Sequence, residues 1–254
     1  MNLRAAWRGV ILIGSIGFCF LRFVPILLRA VLTGRDVLPG ERADWMHRCG
    51  RTMLRAMGIR FRIEGQVPSE TVVVVANHLS YLDIVIAASA MPCAFVAKEE
   101  IALWPAFGSL ARMGQTIFLN RASRASAWEA ADRMVERLQR GVSTLFFPEG
   151  TSTDGSELAR FHSTLFAAAI ETGCRVVPAA IFYEPHGAGM AEREVCWYGD
   201  DAFLPHLVKV LGLSQFTAVL RFGAPESYPD RRTAAWRSHD AVERLRRQGS
   251  AATR

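Results

Sequence analysis

The 254-residue chain is poor in several signatures that would commit it to other kinds of work. Its five cysteines, Cys19, Cys49, Cys93, Cys174 and Cys196, are odd in number and scattered, and no Cys-x-x-Cys pair occurs. That pattern fits neither a disulfide frame nor a metal site, and it reads as reduced thiols in a cytosol-facing protein. No Gly-x-Ser-x-Gly element is present, which removes the nucleophile elbow of many hydrolases. No run of Lys and Arg with interleaved aromatics occurs, so the net charge of +6 does not point to nucleic acid. An anionic bilayer or an acidic substrate remains as its counterpart. Lysine itself is nearly absent, occurring only as Lys98 and Lys209 among 30 basic residues, which draws attention to each. There are no internal repeats and no small-residue signal cleavage site.

What is abundant is apolar surface, half of all residues, ample for a packed core. The first long apolar run spans Val10 to Leu32 and is interrupted by Arg22, Pro25 and Arg29. It is long enough to cross a bilayer. On a helix of about 100° per residue, Arg4, Arg8, Ser15, Arg22, Arg29 and Thr33 fall within a sector of about 60°. A narrow basic stripe on an apolar helix suits a helix lying in the membrane plane, with the Arg stems along apolar surface and the guanidinium groups at phosphates. A spanning helix is the alternative, since two mid-helix Arg cost roughly 2.5–3.5 kcal/mol each. Pro25 is expected to kink it. Trp45, Cys49, Met53 and Met57 then recur every four residues along a second amphipathic helix ended by Gly58, with Arg48, Arg51 and Arg55 on its other faces. Residues 1–58 are therefore expected to form a two-helix membrane-associating segment.

From Ile59 onward the pattern is α/β. Strands are expected near 59–63, 71–76, 93–97, 116–119, 143–147, 176–183, 195–198 and 216–222. Helices are expected near 104–112, 123–140, 161–172, 202–212 and 233–248, with one more ending at Ala90 before Pro92. Strands alternating with helices imply a mixed, mostly parallel sheet flanked by helices over residues 59–248, followed by a tail at 249–254. Pro178 inside a strand marks its start or a bulge.

Three stretches carry candidate chemistry, each at the carboxyl end of an expected strand, where α/β sheets place ligands. The first holds Asn77, His78 and Asp83. His78 is suited to take a proton near neutral pH, and a carboxylate on its second ring nitrogen would fix the tautomer. Ser80-x-x-Asp83 also matches a helix capping box, which alone would account for Ser80 and Asp83. The second is Phe147-Pro148-Glu149-Gly150-Thr151. A carboxylate at the end of a buried strand is costly unless paired, so Glu149 meets a cation or lies in a wet cleft; an ordinary turn is the alternative. Gly150 allows close backbone approach to a ligand. The third ends in Arg121, which either pairs with Glu149, binds a phosphate, or is a solvated residue at a helix start.

Taken together and in order, Asn77-His78 with Asp83, Phe118-Leu119-Asn120-Arg121, Phe147-Pro148-Glu149-Gly150-Thr151 and Val176-Val177-Pro178-Ala179 resemble the blocks of the lysophosphatidate (1-acylglycerol-3-phosphate) acyltransferase family. Ala97-Lys98-Glu99-Glu100-Ile101 resembles the block between the first two, and the match covers about residues 70–185. The resemblance implies an enzyme in which His78 takes the proton of an acceptor hydroxyl and Asp83 orients it. The hydroxyl attacks the thioester of acyl-CoA or acyl carrier protein, with no acyl-enzyme, no metal and no further cofactor. It further implies substrate contacts from Asn77, Arg121, Glu149, Gly150 and Thr151. Lys98 adds charge there or is an ordinary surface lysine. The implied partners are membrane lipid and the acyl carrier, at the cytoplasmic face of the inner membrane. The protein would be monotopic or carry one spanning helix.

One departure matters. Many family members carry Arg directly after Glu-Gly-Thr, where it is taken to hold the acceptor phosphate; here Ser152 follows, then Thr153, Asp154 and Gly155. That version, with Phe161-His162-Ser163-Thr164-Leu165-Phe166 after it, resembles the lyso-ornithine lipid acyltransferase branch. Alternatively Arg121, Arg160 or His162 supplies the charge. Lysophosphatidate is the first expectation for the acceptor and lyso-ornithine lipid or another lysolipid the second. A non-catalytic lipid-binding protein of the same fold would explain the amphipathic segment and the basic surface, but not the His78/Asp83 pair beside Pro148-Glu149-Gly150-Thr151.

Overall fold

The computed structural model describes residues 2–186 and 191–251. A 31-residue helix α1 (Leu3–Thr33) is followed by α2 (Pro39–Met57). Asn2 caps α1 through its side chain, and Gly58 ends α2 in the left-handed conformation that only glycine adopts freely. Strands β1 (Arg60–Glu64), β2 (Val73–Ala76), β3 (Ala94–Lys98), β4 (Ile117–Leu119), β5 (Thr144–Phe146), β6 (Val176–Pro185) and β7 (Phe216–Phe222) form one sheet in the order β1-β7-β6-β2-β5-β3-β4. Every pairing is parallel except β6 with β7. The remaining helices are α3 (Leu82–Ala90), α4 (Phe107–Met113), α5 (Arg124–Gln139), α6 (Ala167–Thr172), α7 (Phe203–Gly212) and α8 (Arg231–Ala251).

β2 sits mid-sheet between β5 and β6, and its β-branched run Val73–Val75 is buried on both faces, the environment of a parallel-sheet strand. Alternate residues of the sheet feed two cores. Val74 and Ala76 of β2 pack with α1, α2, α3 and α7 on one side. Val73 and Val75 pack with α5, α6 and α8 on the other.

The differences from the sequence expectation have physical causes. Residues 195–198 are not a strand; Trp197 instead donates its backbone N–H to Leu79 O at 2.8 Å, closing a loop over the end of β2. Only Ala167–Thr172 of the expected 161–172 helix is α-helical, preceded by one 3-10 turn at Thr164–Phe166. Pro178 lies inside β6 just where the ladder to β7 ends, since that ladder begins at Ala179 and Gly223 N–H then bonds Pro178 O at 2.7 Å. α8 continues to Ala251, so the first residues of the expected tail are helical; 252–254 lie outside the described residues. α1 runs uninterrupted through Pro25. All five cysteines are free.

α1 is anchored to the rest of the protein along its whole length. Asn2 bonds Gly212 O, Trp45 Nε1 bonds Cys19 O at 2.9 Å, and Arg29 pairs with Glu41. Part of the basic stripe is engaged by the protein itself, although Arg4 and Arg29 stay exposed. Arg8 donates to the carbonyl of Leu211, left without a helical partner in the last turn of α7, and to those of Leu213 and Ser214 just beyond it. One side of α1, including Trp7, Val10, Ile13, Leu21, Val24, Leu28 and Val31, is exposed and apolar, and on α7 Leu204 and Val208 are likewise exposed.

Candidate active site

Because β2, β3, β4 and β5 run in parallel, their carboxyl ends share one edge of the sheet. His78 follows β2, Glu149 follows β5, Lys98 ends β3 and Arg121 lies just beyond β4. The chain therefore carries these groups from four strands to the same edge of the sheet.

His78 Nδ1 lies 2.7 Å from Asp83 Oδ2. The same oxygen accepts the backbone N–H groups of Leu79 at 2.6 Å and Ser80 at 2.9 Å. The bond to Ser80 N–H is the backward arm of a capping box, so the helix-start reading and the histidine-orienting reading describe one geometry. The first turn of α3 holds the carboxylate where the imidazole can donate to it, which leaves the lone pair on Nε2. The ring lies flat on Phe147, with centroids 4.2 Å apart and planes 10° from parallel. Its side chain is 10% exposed, whereas Asp83 is sealed at 0%.

Asp83 Oδ1 has a partner from a distant strand, Tyr183 of β6, whose hydroxyl donates at 2.5 Å. Burial, and then the Asp83 charge, hold that hydroxyl protonated far above the usual tyrosine range. Tyr183 was not foreseen. The available signal was its place in the inward-facing series Val177, Ala179, Ile181, Tyr183, since a tyrosine on a core face needs a partner for its hydroxyl. Arg246 of α8 braces the strand behind it, donating to Ile181 O at 3.1 Å, Gly155 O at 2.9 Å and Glu192 Oε2 at 3.2 Å. Glu192 Oε1 in turn accepts Tyr183 N–H at 2.9 Å.

Two expected substrate contacts are instead turned inward. Asn77 is buried, and its amide bonds both N–H and C=O of Ile181 at 2.8 and 2.9 Å, tying β2 to β6 as an extra rung. Glu149 meets neither a cation nor a wet cleft. Its two oxygens accept His78 N–H at 2.6 Å and Ala159 N–H at 2.9 Å. Two amide donors satisfy a buried carboxylate without a countercharge. Burial nonetheless raises its pKa, against the lowering effect of those two bonds. Gly150 follows with φ of 73°, and a Cβ there would approach His162 Cδ2 to 3.2 Å.

The other candidates face space. Lys98, Arg121, Thr151 and Ser152 line a cavity of about 260 Å³ with Trp104 and Trp197. Lys98 Nζ lies 2.7 Å from Glu100. Burial lowers the Arg121 pKa, and Glu100 opposes that, so the acidic neighbour of Arg121 is Glu100 and not Glu149. A second, apolar cavity of about 90 Å³ runs between α2, α3 and α4, lined by Met46, Met53, Val85, Phe95 and Leu110. The two cavities share Ile84, Ala97, Ile101 and Trp104, so a polar chamber adjoins an apolar one across a common wall.

Comparison with known proteins identifies the family. Residues 58–182 match the family model described as Acyltransferase. The chain is 35% identical over 213 residues to a lyso-ornithine lipid O-acyltransferase of Pseudomonas aeruginosa, covering 83% of this chain and 80% of that protein. It is 32% identical over 176 residues to a 1-acyl-sn-glycerol-3-phosphate acyltransferase of Neisseria meningitidis, covering 68% of each. The crystal structure of a 1-acyl-sn-glycerophosphate acyltransferase from Thermotoga maritima superposes with a TM-score of 0.67 at 21% identity, covering 98% of both chains, which shows the shared fold. The chain thus belongs to the acyltransferase family that contains the lysophosphatidate and lyso-ornithine lipid acyltransferases, and it is an enzyme of lysolipid acylation.

Proposed function

We propose that the protein transfers a fatty acyl group from a thioester carrier to the free hydroxyl of a lyso-ornithine lipid at a membrane surface. The observation that carries the catalytic part is the His78–Asp83 contact of 2.7 Å, which leaves Nε2 as a base. As the hydroxyl oxygen attacks the thioester carbonyl, Nε2 takes its proton. When the carbon–sulfur bond breaks, the imidazolium returns that proton to the leaving thiol, and Asp83 stabilises the transient cation. The apolar cavity gives hydrocarbon a place beside the polar chamber.

The acceptor reading rests on charge. The position after Thr151 is the neutral Ser152, and Glu100 both pairs with Lys98 and neighbours Arg121, so among the described residues lining the chamber one cation is in excess. One such cation suits the single carboxylate of an ornithine head group better than a phosphate dianion. The Pseudomonas aeruginosa relative named above supports the same order. Supplied with a labelled acyl thioester and an equimolar mixture of the two lysolipids, the protein is expected to label ornithine lipid first. Preferential formation of labelled phosphatidate would overturn the acceptor assignment while leaving the chemistry intact.

The exposed apolar side of α1 and α7 is the membrane-facing surface in this reading. Contacts from Asn2 to Arg29 extend over about 40 Å of helix, as long as a bilayer with its head groups is thick. A helix bound to one water-side domain at both ends lies along the bilayer, not across it. Leu21→Glu with Leu28→Glu, at positions 64% and 56% exposed, is expected to weaken binding to anionic vesicles by more than about tenfold with the melting temperature unchanged. Undiminished vesicle binding would contradict this placement. At the inner end of the site, Tyr183→Phe removes the donor to Asp83 Oδ1 and is expected to lower kcat by about tenfold. KM for both substrates should hold. A rise in KM without loss of kcat would make Tyr183 a packing residue only.

A further inference from the structure

The reaction joins two substrates that each bear an anion, and the polar chamber accounts for one of them. A second cationic hollow lies on the other side of the Glu149–Ser152 turn. It is a groove of about 830 Å³ between the 158–164 segment and the first turns of α8, bordered by Arg160, His162, Arg232, Trp236, His239 and Asp240. Among the described residues neither Arg160 nor Arg232 pairs with an acid, and both are exposed. Trp236, which lines the same groove, is 62% exposed. Asp240 stands next to His239, 3.8 Å from its Nδ1.

The position of the groove ties it to the chemistry. His162 donates its backbone N–H to Pro148 O at 2.8 Å, and its ring lies against Gly150. Pro148 and Gly150 flank Glu149, which holds His78 N–H, and Phe147 stacks on the His78 ring. The groove wall and the catalytic ring are thus supported by successive residues of one loop. The groove also opens on the α5, α6 and α8 layer, while the apolar surface of α1 and α7 belongs to the opposite layer. A lipid acceptor enters from the membrane side, and a water-borne donor meets the other side.

We infer that this groove, through Arg160 and Arg232, binds the phosphate end of the phosphopantetheine arm that carries the acyl thioester, with the arm running past His162 to His78. The inference rests on the acyl-transfer reading above. Coenzyme A and acyl carrier protein both present this phosphate, so the shared group is what the groove recognises.

The test measures initial rates of the full-length protein in lysolipid vesicles with palmitoyl-CoA, palmitoyl-acyl carrier protein and S-palmitoyl-pantetheine, which lacks the phosphate. Arg160→Ala with Arg232→Ala is expected to raise KM about tenfold for whichever phosphate-bearing donor the wild type uses. KM for the lysolipid and for S-palmitoyl-pantetheine should change less than about twofold by comparison. Arg237→Ala and Arg247→Ala, exposed on α8 outside the groove, should leave donor KM alone. An unchanged donor KM in the double variant overturns the inference. So does an equal rise with the phosphate-free thioester, which would report a local distortion. A wild type inactive with all three donors would instead remove the acyl-transfer reading itself.

Discussion

Replacing His78 with alanine is expected to lower kcat by about 10³–10⁴, the range at and just below the limit of what a positioned general base contributes. The fold should survive, because what His78 gives the structure is mostly backbone. Its N–H bonds Glu149 and its carbonyl accepts Thr153 N–H at 2.9 Å, and alanine keeps both. Asp83 would still hold the amides of Leu79 and Ser80 and the hydroxyl of Tyr183, so no buried charge is stranded. The loss of the ring from the face of Phe147 is the main packing cost. Circular dichroism and vesicle binding should match the wild type while product formation falls. A variant that turns over at the wild-type rate would place the base elsewhere.

Asp83→Asn should have the next largest effect, and the pattern of donors around the carboxylate says why. Three N–H groups converge on Oδ2, so the asparagine oxygen must sit there, since an amide nitrogen would face three donors. The new NH₂ then takes the place of Oδ1, where the Tyr183 hydroxyl can rotate to accept from it. The three N–H bonds survive unchanged and the imidazole keeps its tautomer, while the Tyr183 contact reverses, its hydroxyl proton loses its acceptor, and the negative charge is gone. The expected outcome is a loss of about 10²–10³ in kcat through a less stable imidazolium, with a stability loss limited to the one stranded hydroxyl donor, about 1–3 kcal/mol. Asp83→Ala removes the acceptor of all three N–H groups, each costing about 1–3 kcal/mol when left unsatisfied, so that variant should also melt early. Equal activity of Asp83→Asn and the wild type would reduce Asp83 to a helix cap.

The parts of this site that were legible in the sequence are those encoded within a few residues. Ala76 to Asp83 combines the end of a β-branched strand with a helix start, and that local chemistry brings ring and carboxylate together. The turn after β5 likewise declares itself through Pro148, Glu149 and Gly150. What was illegible depends on pairings between distant strands. Tyr183 lies 100 residues from Asp83, and only the β2–β6 register makes them neighbours. The same register ties the Asn77 amide to the backbone of Ile181, in the interior. Glu149 was expected to need a cation or water because backbone amides leave no trace in a sequence; the amides of His78 and Ala159 satisfy it. The basic stripe of α1 was visible as a periodicity, but periodicity does not say which side meets lipid. Arg8 is drawn to the carbonyls at the end of α7, and Arg29 to Glu41. The mixed, mostly parallel sheet was readable from alternation alone, while the false strand at 195–198 was a short apolar run serving as a loop over the site.

The central claim is direct transfer, with His78 handing the hydroxyl proton onward and never carrying the acyl group. Rapid quenching of the wild type with a radiolabelled acyl thioester, with and without lysolipid in the vesicles, tests it most directly. Direct transfer predicts label in the diacyl product only when lysolipid is present, and none bound to the protein at any time. Label trapped covalently on the protein in the absence of acceptor would contradict it.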